Sequence, residues 1–185
     1  MRELALHILD IAQNSIAAKA TKIIIEVHEN ENGFFVFRIR DNGCGMSEEM
    51  VRSVRDPFVT TRKTRKVGMG IPFMDMVTEQ CGGHLDIFSQ VGKGTEVAAY
   101  FEADNIDRPP LGNIVESIKV LLVGAPDIDL DFTYTCPGGA VAFKTEEMRE
   151  VLGDACDFTN PAVYGWLEDY LTQQLNKVQS REDYK

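Results

Sequence analysis

The chain has 185 residues, 44% hydrophobic and 26% charged, enough for one sizeable core or one core with a small appended unit. Its net charge of -10 divides into -3 over residues 1–104 (12 Lys+Arg, 15 Asp+Glu) and -7 over residues 105–185 (7 and 14). That balance argues against nucleic acid as a partner, because a phosphate backbone needs a basic surface.

No apolar run reaches the ~18 residues of a membrane span, so no membrane is expected as a partner. The first ten residues carry two acids and a His, so no secretory signal, with its basic start and unbroken apolar stretch, is expected. Cys44, Cys81, Cys136 and Cys156 lie far apart with no Cys-x-x-Cys pair, which fits free thiols in a cytoplasmic protein.

Apolar spacing predicts a helix over 3–20, with Leu4, Ile8 and Ile11 on one broad face. Two runs of strong strand formers, 22–29 and 34–41, flank Asn30-Glu31-Asn32-Gly33 and read as a hairpin. Ser47 is a natural N-cap for a short helix over 48–55, and residues 56–70 read as a loop. A helix is expected from Pro72, stopping at Gly82-Gly83, and then strands over 84–90 and 95–102.

Asp107-Arg108-Pro109-Pro110 reads as a linker. After it the pattern gives a helix (112–123), two strands (128–135 and 139–144) and two helices (145–152 and 161–178). The expectation is an α/β two-layer sandwich, a mixed or antiparallel sheet with helices on one face, over residues 1–104. A linker (105–110) and a small acidic α+β unit (111–185) follow. The last helix carries Trp166, Leu167, Tyr170, Leu171, Leu175 and Val178 near helical spacing. That stripe either packs on the neighbouring hairpin or, with Val163 and Tyr164, offers a docking or homodimer surface.

Four segments carry chemistry. Glu3, His7, Asp10 and Asn14 share one face of the first helix, as a solvated stripe or as a pocket wall on which Asp10 and Asn14 meet an ion or water. Asp41-Asn42-Gly43-Cys44-Gly45-Met46 follows a strand directly. There a carboxylate can accept from an exocyclic amino group, and the glycines let backbone approach a flat base. Residues Asp56 to Lys66 place Phe58, two hydroxyls (Thr60, Thr61) and five residues rich in cations (Arg62-Lys63-Thr64-Arg65-Lys66) ahead of Gly68-Met69-Gly70-Ile71. A Gly-x-Gly opening a helix offers free amides and a positive dipole end to phosphates. Gly92-Lys93-Gly94-Thr95 joins two strands.

In this order the segments resemble the GHKL superfamily of gyrase, heat-shock chaperone, histidine kinase and mismatch-repair ATPases. Leu9–Thr21 resembles the N box, closest to its mismatch-repair form. Asp41–Met46 resembles the first glycine box. Asp56–Ile71 resembles the phenylalanine box, lid and second glycine box of sensor kinases, and Gly92–Thr95 their final box. The chain is also similar to small stand-alone ATP-binding proteins of anaerobic bacteria, some encoded with iron-hydrogenase and NADH-dehydrogenase subunits.

The resemblance implies a Bergerat-type pocket for ATP and Mg²⁺. Asn14 would coordinate the Mg²⁺, and Asp41 would read the adenine amino group. Gly43, Gly45 and Met46 would shape the base pocket, and Thr95 would support the adenine through Asp41 or a water. Phe58, Thr60, Thr61, Arg62, Lys63 and Lys66 would form the lid, with Gly68, Met69, Gly70 and Ile71 at the phosphates.

Three departures stand out, the first being Ala17, where relatives often carry a charged residue. Where hydrolysing relatives carry a glutamate general base, this chain has Asp10, one methylene shorter. Where the second glycine box usually opens with glycine, it has Lys66.

The given sequence begins at the N box, so a phosphoacceptor helix ahead of it is not expected. The segment after residue 104 is short for a transducer domain. Three functions follow from the resemblance: a regulatory ATP-binding module read by a protein partner, a slow ATPase using Asp10, or a stand-alone protein kinase similar to the anti-sigma kinases.

Overall fold

A computed structural model describes residues 3–55, 70–153 and 156–180. Its first helix, α1 (Leu4–Ala17), buries Leu4, Ile8 and Ile11 on the expected face. A hairpin follows, β1 (Lys22–Glu31) and β2 (Phe34–Asp41), with Ile25 opposite Ile39 and Val27 opposite Phe37. Its turn holds Asn30, Asn32 and Gly33 at positive φ, a region that asparagine and glycine enter more readily than other residues.

The short helix α2 (Glu48–Ser53) starts where Ser47 accepts the Met50 amide at 3.3 Å. The next helix, α3 (Gly70–Gln80), begins two residues earlier than Pro72 suggests. Pro72 therefore lies within the first turn, where its missing N–H leaves no bond unmade. The strands β3 (His84–Gln90) and β4 (Gly94–Glu102) close the N-terminal part.

The remaining elements are α4 (Ile114–Gly124), β5 (Asp129–Cys136), β6 (Gly139–Lys144), α5 (Thr145–Leu152) and α6 (Pro161–Gln179). The six strands among the described residues form one mixed sheet in the order β3-β4-β2-β1-β5-β6. Residues 22–28 of β1 pair in parallel with residues 129–135 of β5, and every other pairing is antiparallel. Strands β4 and β5 run the same way, so the chain must cross back between them, and α4 is the crossover.

The segment expected as an appended unit thus extends the sheet that residues 22–102 begin. The physical reason lies in two strands. β5 alternates strictly, with Leu130, Phe132, Tyr134 and Cys136 buried on one face, the face shared by Ile23, Ile25 and Val27 of β1. A lone hairpin could not bury that face, and β1 would otherwise present an unpaired edge.

The 105–110 segment is bonded into the same body. Glu3 makes no side-chain cap for α1; instead the Leu4 and Ala5 amides donate to the carbonyls of Pro110 (2.9 Å) and Leu111 (2.8 Å). The Arg108 guanidinium lies over the Phe35 ring, 4.8 Å from its centroid.

Helices α1, α3, α4 and α6 cover one face of the sheet over a continuous core that includes Leu4, Phe37, Phe101, Phe132 and Leu171. The other face carries ion pairs between strands: Lys22–Asp131 (2.9 Å), Arg38–Glu31 (2.9 Å) and Arg40–Glu96 (2.7 Å). Partly exposed pairs of this kind add little stability each.

Helix α6 is fastened by buried polar groups. The Lys119 ammonium of α4, 2% exposed, donates to Glu116 and Glu168 and lies over the Tyr164 ring. Burial pulls its pKa down, but the bonds to Glu168 and Glu116 outweigh that and hold it above the usual lysine value. The fully buried Tyr134 hydroxyl donates to Glu29 (2.7 Å) and accepts from Gln179 (2.9 Å). Burial first, then Glu29, pushes the phenol above its ordinary range.

Candidate nucleotide-binding site

Strand β2 ends at Asp41, with Ile23 of β1 and Thr95 of β4 as its cross-strand partners. Its carboxylate is half-buried. Asp41 Oδ2 accepts from the Ser15 hydroxyl at 2.7 Å and Oδ1 from the Gly43 amide at 2.8 Å. An ionised carboxylate has about four lone-pair positions, so two remain for another donor. Ser15 is buried on α1, directly after Asn14. It had no signal in the sequence reading beyond its place in the N box.

The loop after Asp41 leans on the β3–β4 turn. Gly92 donates to the Cys44 carbonyl at 2.8 Å, and the Met46 amide donates to Ser89 Oγ at 2.8 Å. The Ser89 hydroxyl also bonds the Gly94 carbonyl (3.0 Å) and lies 2.9 Å from the Thr95 hydroxyl. Thr95 thus engages Ser89 directly, and Asp41 is its cross-strand neighbour.

Two glycines are sterically required here. Gly45 has φ +65°, and a Cβ on it would lie 2.0 Å from the Gln90 carbonyl oxygen; at Gly94 (φ +109°) a Cβ would lie 1.9 Å from that of Asp41. Their small size lets two stretches of backbone touch. Gly43 is buried, and a Cβ there would come 2.8 Å from the Ala18 carbonyl oxygen.

On α1, Asp10 and Asn14 are exposed and make no side-chain bond to another described residue. Gly70, the first residue of α3, sits beside Asp10, and a Cβ on it would be 3.8 Å from the Asp10 Cβ. Asp10 thus lies beside the Gly70 end of α3, and Asn14 follows it one turn along α1. Ile71 and Met46 are half-buried and pack against the core. His7 is buried and stacks on Phe73 of α3, with ring centroids 5.2 Å apart.

Arg55, just after α2, donates to the Leu85 carbonyl (2.6 Å) and pairs with Asp75 (3.3 Å), which ties the end of α2 to β3 and α3. A cleft of about 580 Å³ opens between α2 and β2–β4, lined by Asp41, Ser89 and Thr95 and by Arg40, Arg52 and Lys93; Asp10, Asn14 and Gly70 are not among its lining residues. The predicted site residues Phe58, Thr60, Thr61, Arg62, Lys63, Lys66, Gly68 and Met69 lie outside the described residues.

Residues 1–105 match the model of the histidine kinase-, DNA gyrase B- and HSP90-like ATPase family, more than half of the chain. The chain belongs to this family. Its N-terminal part is a GHKL-type ATPase domain, and the match ends where the Asp107–Pro110 segment begins.

Among curated relatives it is similar to a putative sensor protein of Shewanella frigidimarina, 28% identical over 102 residues, covering 55% of this chain and 15% of that protein. It is also similar to the sensor histidine kinase ZraS of Escherichia coli K12, 27% identical over 106 residues, covering 57% of this chain and 23% of the kinase. The match thus spans under a quarter of those two relatives.

Among solved structures it is similar to the Aquifex aeolicus MutL ATPase domain complexed with ADP, at a TM-score of 0.50 and 20% identity over 80% of this chain and 68% of that one. The N-terminal domain of a DNA repair protein gives a TM-score of 0.54 at 15% identity, over 78% and 52%. At these identities the likeness establishes the shared fold.

Proposed function

We propose that the chain binds ATP with Mg²⁺ at the end of β2 and acts as a regulatory module whose nucleotide state is read by a partner protein. The observation that carries this is the Asp41 carboxylate, oriented by Ser15 and Gly43 and still able to accept. Adenine offers an exocyclic amino group to such an acceptor, whereas guanine presents a carbonyl oxygen at that position and would leave the carboxylate unpaired.

The donor set also fits the metal. Asn14 and Asp10 supply hard oxygen atoms one helical turn apart beside the start of α3. Mg²⁺ characteristically takes one or two protein oxygens and fills its octahedron with phosphates and water. In this reading Asn14 holds the metal, Gly70 and Ile71 adjoin the phosphates at the helix start, and Met46 and Thr95 border the base. Phe58, Thr60, Thr61 and the Arg62–Lys66 cluster cover the triphosphate. Titration calorimetry with ATP and GTP tests it: ATP binds at least tenfold tighter in Mg²⁺, and equal affinities remove adenine recognition from the account.

One observation favours a second reading, slow hydrolysis. Asp10 is exposed next to Gly70, so its carboxylate could polarise a water near the terminal phosphate. Single-turnover hydrolysis that falls at least tenfold in Asp10→Asn supports the ATPase; hydrolysis absent from the wild type leaves the regulatory module.

A further inference from the structure

The apolar stripe of α6 divides in two. Leu167, Leu171, Leu175 and Val178 are buried in the core, while half-buried Val163 and Tyr170 at the edge of that core and exposed Trp166 face α5. Between the two helices runs a groove of about 500 Å³, lined by Met148, Val151 and Leu152 of α5 and by those three residues of α6. Val151 is 82% exposed, Trp166 49% and Leu152 41%. Apolar exposure this concentrated is unusual on a small domain and marks a contact surface. Trp166 and Tyr170 stack with centroids 5.1 Å apart and planes 11° apart, so two large anchors are already ordered.

The charge around the groove selects the occupant. Lys144, at the mouth, is paired with Glu147 at 3.4 Å. Exposed Glu150 follows Glu147 one turn along α5, and exposed Asp169 directly precedes Tyr170 on α6. Residues 105–185 as a whole carry -7. An anionic lipid surface would be repelled, whereas an apolar stripe edged with Lys or Arg would meet complementary charge. A trough between two helices suits a third helix, and the eight residues of α5 span about 12 Å, roughly two turns of it.

We propose that the α5–α6 groove is the docking site for a basic amphipathic helix of a partner protein. The proposal rests on the reading of this chain as a module read by a partner, and it supplies that partner's chemistry.

Trp166 is the only tryptophan in the chain, so its emission reports the groove directly. The probes are an amphipathic Leu/Lys helical peptide of about five turns, its Leu/Glu counterpart, and vesicles containing phosphatidylserine. The Leu/Lys peptide should shift Trp166 emission to the blue with micromolar affinity. The Leu/Glu peptide should bind at least tenfold more weakly, and the vesicles should leave the emission unchanged.

Val151→Asp, at a site too exposed to threaten the fold, should weaken the Leu/Lys peptide at least tenfold. Glu147→Lys with Glu150→Lys should reverse the preference between peptides. The proposal is overturned by an unshifted emission, by equal binding of both peptides, by insertion into the vesicles, or by Val151→Asp binding as well as the wild type. ATP affinity measured on the same samples keeps the two claims separate. Peptide binding without ATP binding counts against the nucleotide reading, and ATP binding without peptide binding counts against the groove.

Discussion

Around Asp41 the chain is held by short polar contacts between loops, whereas across β1, β5 and β6 it is held by apolar burial and a few buried polar anchors. The first region has a carboxylate with acceptor capacity left over, two exposed oxygen-bearing side chains and glycines that let backbones touch. The second has Leu130, Phe132 and Tyr134 fully buried under α4 and α6, with Lys119 and Tyr134 satisfied by named partners. Polar groups with hydrogen-bonding capacity left over contribute little to folding, whereas the C-terminal strands complete the burial of the apolar face of β1.

The sharpest way to break that comparison is to end the chain near Asp107. Removal strips the β1 edge of β5, takes α4 off α1 and deprives the Leu4 and Ala5 amides of their acceptors. The truncated protein should lose its cooperative thermal transition by circular dichroism and bind no ATP. A folded fragment with ATP affinity within a few-fold of the full chain would show that residues 1–104 stand alone, as the composition and the Asp107–Pro110 segment suggest.

The next largest effect should come from Gly94→Ala. The positive φ costs about 1–3 kcal/mol for a side-chain-bearing residue, and the Cβ would collide with the Asp41 carbonyl. Both stability and ATP affinity should fall, by thermal melting and calorimetry. A stable variant with intact affinity would mean that the loops around Asp41 are not sterically locked.

Tyr134→Phe probes the other region. It leaves Glu29 and Gln179 without their shared partner, at a cost of about 1–2 kcal/mol, or roughly 3–6 °C in melting temperature. ATP affinity should stay the same. A changed affinity with an unchanged melting temperature would invert the assignment of roles.

The smallest effect is one of pH. Lys119 and Tyr134 both hold their protons more tightly folded than unfolded. Their contribution is therefore complete below the unfolded values, near pH 10, and is lost as pH rises from there through the raised folded values. Urea midpoints should fall above pH 10, and less steeply in Lys119→Met. An identical slope in both proteins would assign the alkaline loss to other groups.

What could be read in the sequence follows from the range of each interaction. Helix and strand positions were legible because amphipathic periodicity is local, and Ser47 caps the helix that follows it. Asp41 and the Gly43–Met46 loop were legible because the chemistry sits in one contiguous stretch. The parallel pairing of β1 with β5 was not, since more than a hundred residues separate partners such as Ile23 and Leu130 and neither strand encodes the other. Ser15 and Ser89 were missed for a related reason. A single hydroxyl acquires a role only when folding brings it to Asp41 or to Met46. The α6 stripe read as one surface because helical spacing alone does not say which side the core will take.

The most direct test of the account is the ATP affinity of Asp41→Asn, measured by titration calorimetry in Mg²⁺ beside its melting curve. The amide is isosteric and can still accept from Ser15 or Gly43, so the fold should persist while the charge that meets the adenine amino group is gone. The account predicts a loss of about ten- to a hundred-fold, corresponding to about 1.5–3 kcal/mol, with the melting temperature nearly unchanged. Affinity equal to that of the wild type would contradict it, because a nucleotide that does not sense the Asp41 carboxylate is not bound at the end of β2.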